Sequence, residues 1–278
     1  MINQAIQLAA KRLARSGWAY NKLEASAGRA IDFCRLQRRM HLETFAKSDP
    51  FIDSLGLTVL NGPFRGMKYP NQIAKCSTFP PKIIGSYESE LTYLIEEYCL
   101  KVPPRVIDIG CAEGYYAVGM ALRCKDTEVW AFDTDPIAQE ACFQMAKHNG
   151  VADQLHISGF CRPSDLVELC RDSPALIICD CEGYESTLFI TENIHELSHC
   201  ELLIEAHDFI DPGISPALIS AFSPTHHVSS IFSVDDIIKA QTYQYEELAE
   251  LPLPQRRSLL AEHRPCVMRW LHLTPRTD

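Results

Sequence analysis

Residues 105–116 read Arg-Val-Ile-Asp-Ile-Gly-Cys-Ala-Glu-Gly-Tyr-Tyr, and this stretch constrains the fold more than any other. A short β-branched run ends in an acid and gives way to small residues at Gly110, Ala112 and Gly114. That order belongs to a buried parallel strand turning tightly into a helix beneath a bound nucleotide-like ligand. Small residues are needed there because the backbone must approach the ligand closely. Asp108 stands where a carboxylate reaches a cationic group. The glycine spacing does not fit a dinucleotide fingerprint, G-x-G-x-x-G: counted from Gly110, Ala112 and Tyr115 occupy its later two places.

Strand and helix patterns alternate from Arg105 onward. Strands are expected at 105–109, 127–132, 155–159, 175–180 and 201–206, and helices at about 114–124, 136–149, 164–171, 184–193 and 214–222. Continuous apolar strands between helices predict an α/β chain with a Rossmann-like, doubly wound, mostly parallel sheet. Two late β-rich stretches, 226–232 and 266–273, are expected to close it as an antiparallel edge hairpin. Another helix is expected from Ser86, its cap, to Lys101, with Glu88 and Glu90 in its first turn. Upstream, prolines and glycines break up residues 50–85, and a small hairpin is expected around Asn61-Gly62. Residues 3–15 and 26–46 carry helical spacing. The chain thus divides into an N-terminal helical and hairpin extension, 1–85, read as a lid or a homodimerisation element, and a ligand-binding domain, 86–278.

Ligands of such sheets bind at the carboxyl ends of the strands. The residues there are Asp108, Asp133, Phe160, Asp180, and His207 with Asp208. A carboxylate at Asp133 can accept both hydroxyls of a ribose; the bland alternative is a helix cap before Pro136, for which Asp135 competes. In Asp180-Cys-Glu182-Gly183-Tyr-Glu185, three acids surround a glycine. One suits a ligand's ammonium group and another an acceptor's proton; a helix dipole explains Glu185 well but Asp180, at the strand tip, poorly. His207 is the foremost general-base candidate because imidazole titrates near neutrality. Asp180, Glu182, His207 and Asp208 could also hold a divalent metal; none is assigned, because separate strands supply the groups. His226 and His227 point to opposite sides of an edge strand and are read as structural or rim residues.

The spacing D-x-G-x-A-x-G over residues 108–114 resembles the first motif of class I methyltransferases that use S-adenosylmethionine, with Ala112 where a glycine is usual. Asp133-Thr134-Asp135-Pro136 resembles their second motif. The fourth-strand D-x-E-G-x-E is similar to that of the FkbM-type family, mostly O-methyltransferases of sugars and natural products. The resemblance covers residues 105–208. It implies S-adenosylmethionine as cofactor, bound by Asp108, Gly110, Cys111, Glu113, Gly114, Tyr115, Asp133, Thr134, Phe160 and Asp180. Tyr87 and Glu88 are expected over its methionine end, and Glu113 exposed in the turn. His207, Asp180 and Glu182 would serve a small-molecule or sugar-like hydroxyl. The [D/N]-P-P-[Y/F] motif of base N-methylation is absent. The rivals are a nicotinamide-dependent oxidoreductase, disfavoured by the glycine spacing, and a non-catalytic scaffold on the same fold.

Composition narrows the partners. A net charge of −10 over 278 residues argues against a general nucleic-acid or anionic-membrane binder. The positive charge gathers in residues 1–47, read as a solvated helical face. No apolar run is long enough for a membrane span. The 12 cysteines include no C-x-x-C pair, so a zinc framework is not expected, and most lie in apolar runs as buried thiols. That usage suggests a reducing, cytoplasmic setting.

Overall fold

The computed structural model describes residues 50–75 and 77–276. The helices expected at 3–15 and 26–46 lie outside the described residues. Two short helices come first, α1 (Pro50–Leu55) and α2 (Phe79–Ile84), then α3 (Thr92–Lys101). The alternating part runs β1 (Arg105–Ile109), α4 (Tyr115–Arg123), β2 (Glu128–Phe132), α5 (Pro136–Asn149), β3 (Leu155–Ser158), α6 (Pro163–Cys170) and β4 (Leu176–Cys179). It continues through α7 (Glu185–Leu188), α8 (Thr191–Ile194), β5 (Glu201–Ala206) and α9 (Ile214–Phe222). The chain then adds β6 (His226–Phe232), α10 (Asp236–Thr242), α11 (Leu253–Leu260) and β7 (Arg269–Pro275).

The seven strands lie in the order β3-β2-β1-β4-β5-β7-β6. The first five are parallel, and β7 runs antiparallel to both of its neighbours. This is a Rossmann-like doubly wound sheet whose winding reverses between β1 and β4, the crevice where such folds bind ligands. No helix among the described residues is long and apolar enough to cross a membrane.

Strand residues alternate between two buried layers, as the period of two requires. Val106, Leu176, Ile178 and Leu203 enter one layer with α4 and α5, while Ile107, Ile109, Ile177, Cys179, Leu202 and Ile204 enter the other with α9. Cys99, Cys124, Cys142, Cys170, Cys179 and Cys200 are buried free thiols in these layers.

Four expectations need correction. Residues 50–85, grouped with the extension, lie in the same compact unit as the sheet, whose boundary falls at Pro50; Phe64, Met67, Tyr69, Ile83 and Ile84 are buried in its core. The Asn61-Gly62 turn does join antiparallel partners, Thr58 and Lys68. The helix expected from Ser86 starts only at Thr92, after a 3-10 turn at Ser89–Leu91. Ser86 is buried instead of capping, and Glu88 takes a left-handed conformation (φ 47°) that turns its carboxylate inward. The helix expected at 184–193 is two short ones, because Phe189 is extended and buried. Asn193 bridges the break, accepting from Ile190 N at 3.0 Å and donating to Leu188 O at 2.8 Å. Finally, β6 and β7 do not follow one another as a hairpin: α10 and α11 intervene, and β7 inserts between β5 and β6.

Candidate active site

The loop after β1 is built by backbone contacts only small residues permit. Gly110 N and Cys111 N donate to Phe132 O at 2.8 and 3.0 Å, tying the loop to β2. Gly110 has φ +84°, and a Cβ there would lie 1.7 Å from Asp180 O, on the tip of β4. Gly114, also left-handed (φ +95°), lets α4 start against Cys142 of α5. Asp108 is buried and accepts from Ala117 N at 2.9 Å. It thereby supplies the side-chain acceptor that the Gly114 cap of α4 lacks. Burial pushes its pKa up to about 8.

Asp133 is half-buried beside this loop. One oxygen accepts from Ala112 N at 3.0 Å and the other from Asp135 N at 2.8 Å. The cap of α5 is Asp135, which accepts from Ile137 N at 2.9 Å. Asp133 therefore does not serve as that cap. Thr134 is exposed. Phe160 is 47% exposed, its ring 5.0 Å from that of Tyr184. Both line an open groove of about 590 Å³ with Arg162, Val167, Ile190 and Asn193.

Glu113 is not exposed as expected. It is 2% exposed, ion-paired with the buried Lys82, and accepts from Lys75 N at 2.8 Å. Lys82 sits 4.7 Å from the ring centroid of Tyr87, which meets Tyr115 edge-on at 5.1 Å. A buried ammonium needs such partners, and they draw the Glu113 carboxylate inward. Cys111 and Tyr115 are buried as well. Glu88 gives one carboxylate oxygen to Arg264 and the other to the Tyr116 hydroxyl.

At the tips of β4 and β5 the chain assembles a cluster around His207, which is 2% exposed. His207 Nδ1 lies 2.6 Å from Oε1 of the fully buried Glu185. Nε2 faces Asp180 Oδ1 at 3.4 Å, Glu182 Oε2 at 3.5 Å and Glu205 Oε2 at 3.8 Å. Burial alone would lower the imidazole pKa, but Glu185, Asp180 and Glu182 outweigh it and raise it. Burial likewise raises Asp180, with Glu182 adding to it, and raises Glu205, with Asp180 adding to it. Arg264 binds Glu205, Glu88 and Glu262, and Lys239 binds Glu262 in turn. Asp208 points elsewhere: it accepts from Ser215 N and Oγ at 2.9 and 2.7 Å. His226 is buried against Cys200 O at 3.0 Å, and His227 is exposed.

The structure thus brings Asp180, Glu182 and Glu185 of the fourth-strand motif together with His207, and it adds Glu205 and Arg264, which the sequence reading did not place in the site. Glu205 could have been found, since it precedes His207 by two and a strand places such pairs on one side. Glu185 was absorbed by the dipole explanation. Arg264 lies in an irregular segment with no signal of its own.

No family model matches the chain. Over 67 residues it is 42% identical to the ribosomal protein L11 methyltransferase of Nitrosococcus oceani, covering 24% of this chain and 22% of that relative's length. Among solved structures, the cofactor-bound protein Rv0187 from MTB aligns with 86% of this chain and 95% of its own, at 11% identity and a TM-score of 0.46. The O-methyltransferase TomG from Streptomyces achromogenes, involved in tomaymycin synthesis and solved with SAM, covers 69% of this chain and 82% of its own, at 14% identity and 0.42. A SAM-dependent methyltransferase from Geobacter sulfurreducens, in complex with S-adenosyl-L-homocysteine, covers 68% and 91%, at 16% identity and 0.40.

Proposed function

We propose that this protein is an S-adenosylmethionine-dependent methyltransferase acting on a hydroxyl of a small, sugar-like molecule. The observation that carries this reading is the contact of Gly110 with Asp180, which sets the loop after β1 directly against the tip of β4. A ligand-cradling turn and a proton-accepting cluster therefore share one crevice.

The residues suit this cofactor. Each Asp133 oxygen accepts one N–H and keeps a lone pair, so the carboxylate can take a ribose diol. Asp180 and Glu182, the more exposed acids of the cluster, give the crevice an acidic lining. That lining favours a sulfonium with an ammonium tail over a pyrophosphate. Gly110, Ala112 and Gly114 would lie beneath the cofactor, with Phe160 at its rim.

S-adenosylmethionine supplies, when bound, a methyl group on a positive sulfur whose departure needs no proton. The protein's task is alignment, exclusion of water and removal of the acceptor's proton. With that cofactor bound, the acceptor's hydroxyl proton would be taken up in the cluster of His207, Asp180 and Glu182, whose exposed carboxylate is Glu182. Glu185 fixes the ring by holding Nδ1–H, which leaves Nε2 turned to the crevice. The oxidoreductase alternative lacks support here, since a pyrophosphate would meet this acidic rim.

The test is release of S-adenosylhomocysteine by the purified chain, followed by mass spectrometry against a panel of hydroxylated sugars and phenols. Turnover of at least one hydroxyl compound, lost in His207→Ala, is the expected result. Binding of NAD with no calorimetric signal for S-adenosylmethionine would overturn the proposal.

A further inference from the structure

We propose that Asp180, Glu205 and His207 form a binding site for one divalent transition-metal ion. One ligand atom from each, two carboxylate oxygens and a ring nitrogen, lies within 4.8 Å of the others. His207 Nε2 stands 3.4 Å from Asp180 Oδ1 and 3.8 Å from Glu205 Oε2. Metal–ligand bonds of about 2.1 Å set neighbouring ligand atoms roughly 3.0–3.4 Å apart in octahedral or tetrahedral sites. The two His207 distances lie at this range or a few tenths of an ångström beyond it, and the carboxylate oxygens, within 4.8 Å of each other, would close onto an ion by side-chain rotation.

Three independent features point to a cation and not merely to an acidic surface. First, His207 is more than nine-tenths buried, and its ring is oriented through Nδ1 by Glu185 at 2.6 Å. A metal-binding imidazole is held in this way, its second nitrogen donating to a carboxylate. Second, Asp180 Oδ1 is covered from solvent, and what it faces is His207 Nε2 at 3.4 Å, long for a hydrogen bond and the same nitrogen that would share the ion. Third, even with His207 counted beside Arg264 and Lys239, the acids Glu88, Asp180, Glu185, Glu205 and Glu262 outnumber the cations they pair with. Arg264 takes Glu205 Oε1 and so leaves Oε2 turned to His207. One imidazole with two carboxylates suits a manganese- or zinc-like ion better than magnesium or calcium, which favour oxygen alone.

The catalytic consequence rests on the methyltransferase reading. A hydroxyl on such an ion is acidified, and Glu182, outside the trio but 3.5 Å from His207 Nε2, would receive its proton. The site itself does not depend on that reading.

The test uses Mn²⁺ alone on the full chain, without cofactor, read by the loss of the free-ion electron paramagnetic resonance signal and by calorimetry. One Mn²⁺ per chain is expected. His207→Gln and Asp180→Asn should each weaken it by about tenfold or more, while Asp208→Asn, whose partner is Ser215, should leave it unchanged. Asp180→Asn keeps the test open if His207→Gln fails to fold. Absence of saturable binding by the wild type, or equal binding by the ligand variants, would overturn the site. S-adenosylmethionine affinity on the same samples reports the methyltransferase reading separately. Mn²⁺ binding without cofactor binding keeps the metal site and removes that reading.

Discussion

Gly110 and Asp180 meet backbone to backbone: a Cβ at position 110 would sit 1.7 Å from the Asp180 carbonyl oxygen. No rotamer change relieves that clash, because both partners are main chain, and the φ of +84° adds strain for any L side chain. Gly110→Ala should therefore destabilise the fold by about 3 kcal/mol or more, seen as a lower urea midpoint. A midpoint equal to wild type would mean that the two strand tips can part freely.

Asp133 is the residue whose loss should fall hardest on cofactor binding. Its carboxylate would lose two charge-assisted bonds to a ribose, each worth about 1.5–3 kcal/mol. Asp133→Ala should weaken S-adenosylmethionine at least about a hundredfold in calorimetry. Affinity close to wild type would remove Asp133 from the site.

Glu185 and His207 should act on turnover and not on cofactor binding. His207→Ala and Glu185→Gln are both expected to lower kcat by about tenfold or more, with the KM for S-adenosylmethionine unchanged. A matching rise in KM would show that the variants had only loosened the crevice.

Lys82 and Glu113 are a buried pair, so removing one partner strands the other. Lys82→Met should cost about 3–5 kcal/mol, and adding Glu113→Gln should restore part of it. A double variant no better than the single one would contradict the pairing.

Asp108 predicts a pH dependence whose sign follows from its raised pKa of about 8. The folded state holds the proton that the unfolded chain releases at about pH 4. The stability linked to this group is complete below about pH 4 and is lost as the pH climbs through about 8. Asp108→Asn keeps an acceptor for Ala117 N but carries no charge. Its stability relative to wild type should grow from pH 5 to pH 9 in urea titrations; parallel curves would refute the assignment.

The parallel sheet was legible because apolar strands and turn residues alternate at regular spacing, and α5, β5, α9 and β6 fall at the expected residues. The strand-tip acids were legible for the same reason. What escaped were features set by distant partners. Glu88 bends inward because Arg264, 176 residues away, binds it, and Glu113 turns inward toward Lys82, 31 residues upstream. The insertion of β7 beside β5 was hidden too, since nothing local in 269–275 names its neighbour.

That insertion orders assembly. Among the described residues β6 has β7 as its one neighbour in the sheet, so it joins the sheet through β7. Arg264, just ahead of β7, reaches Glu205 as that strand docks. During synthesis the five parallel strands can gather first. Until β7 docks, the β5 edge lacks its antiparallel partner and Glu205 lacks the guanidinium of Arg264.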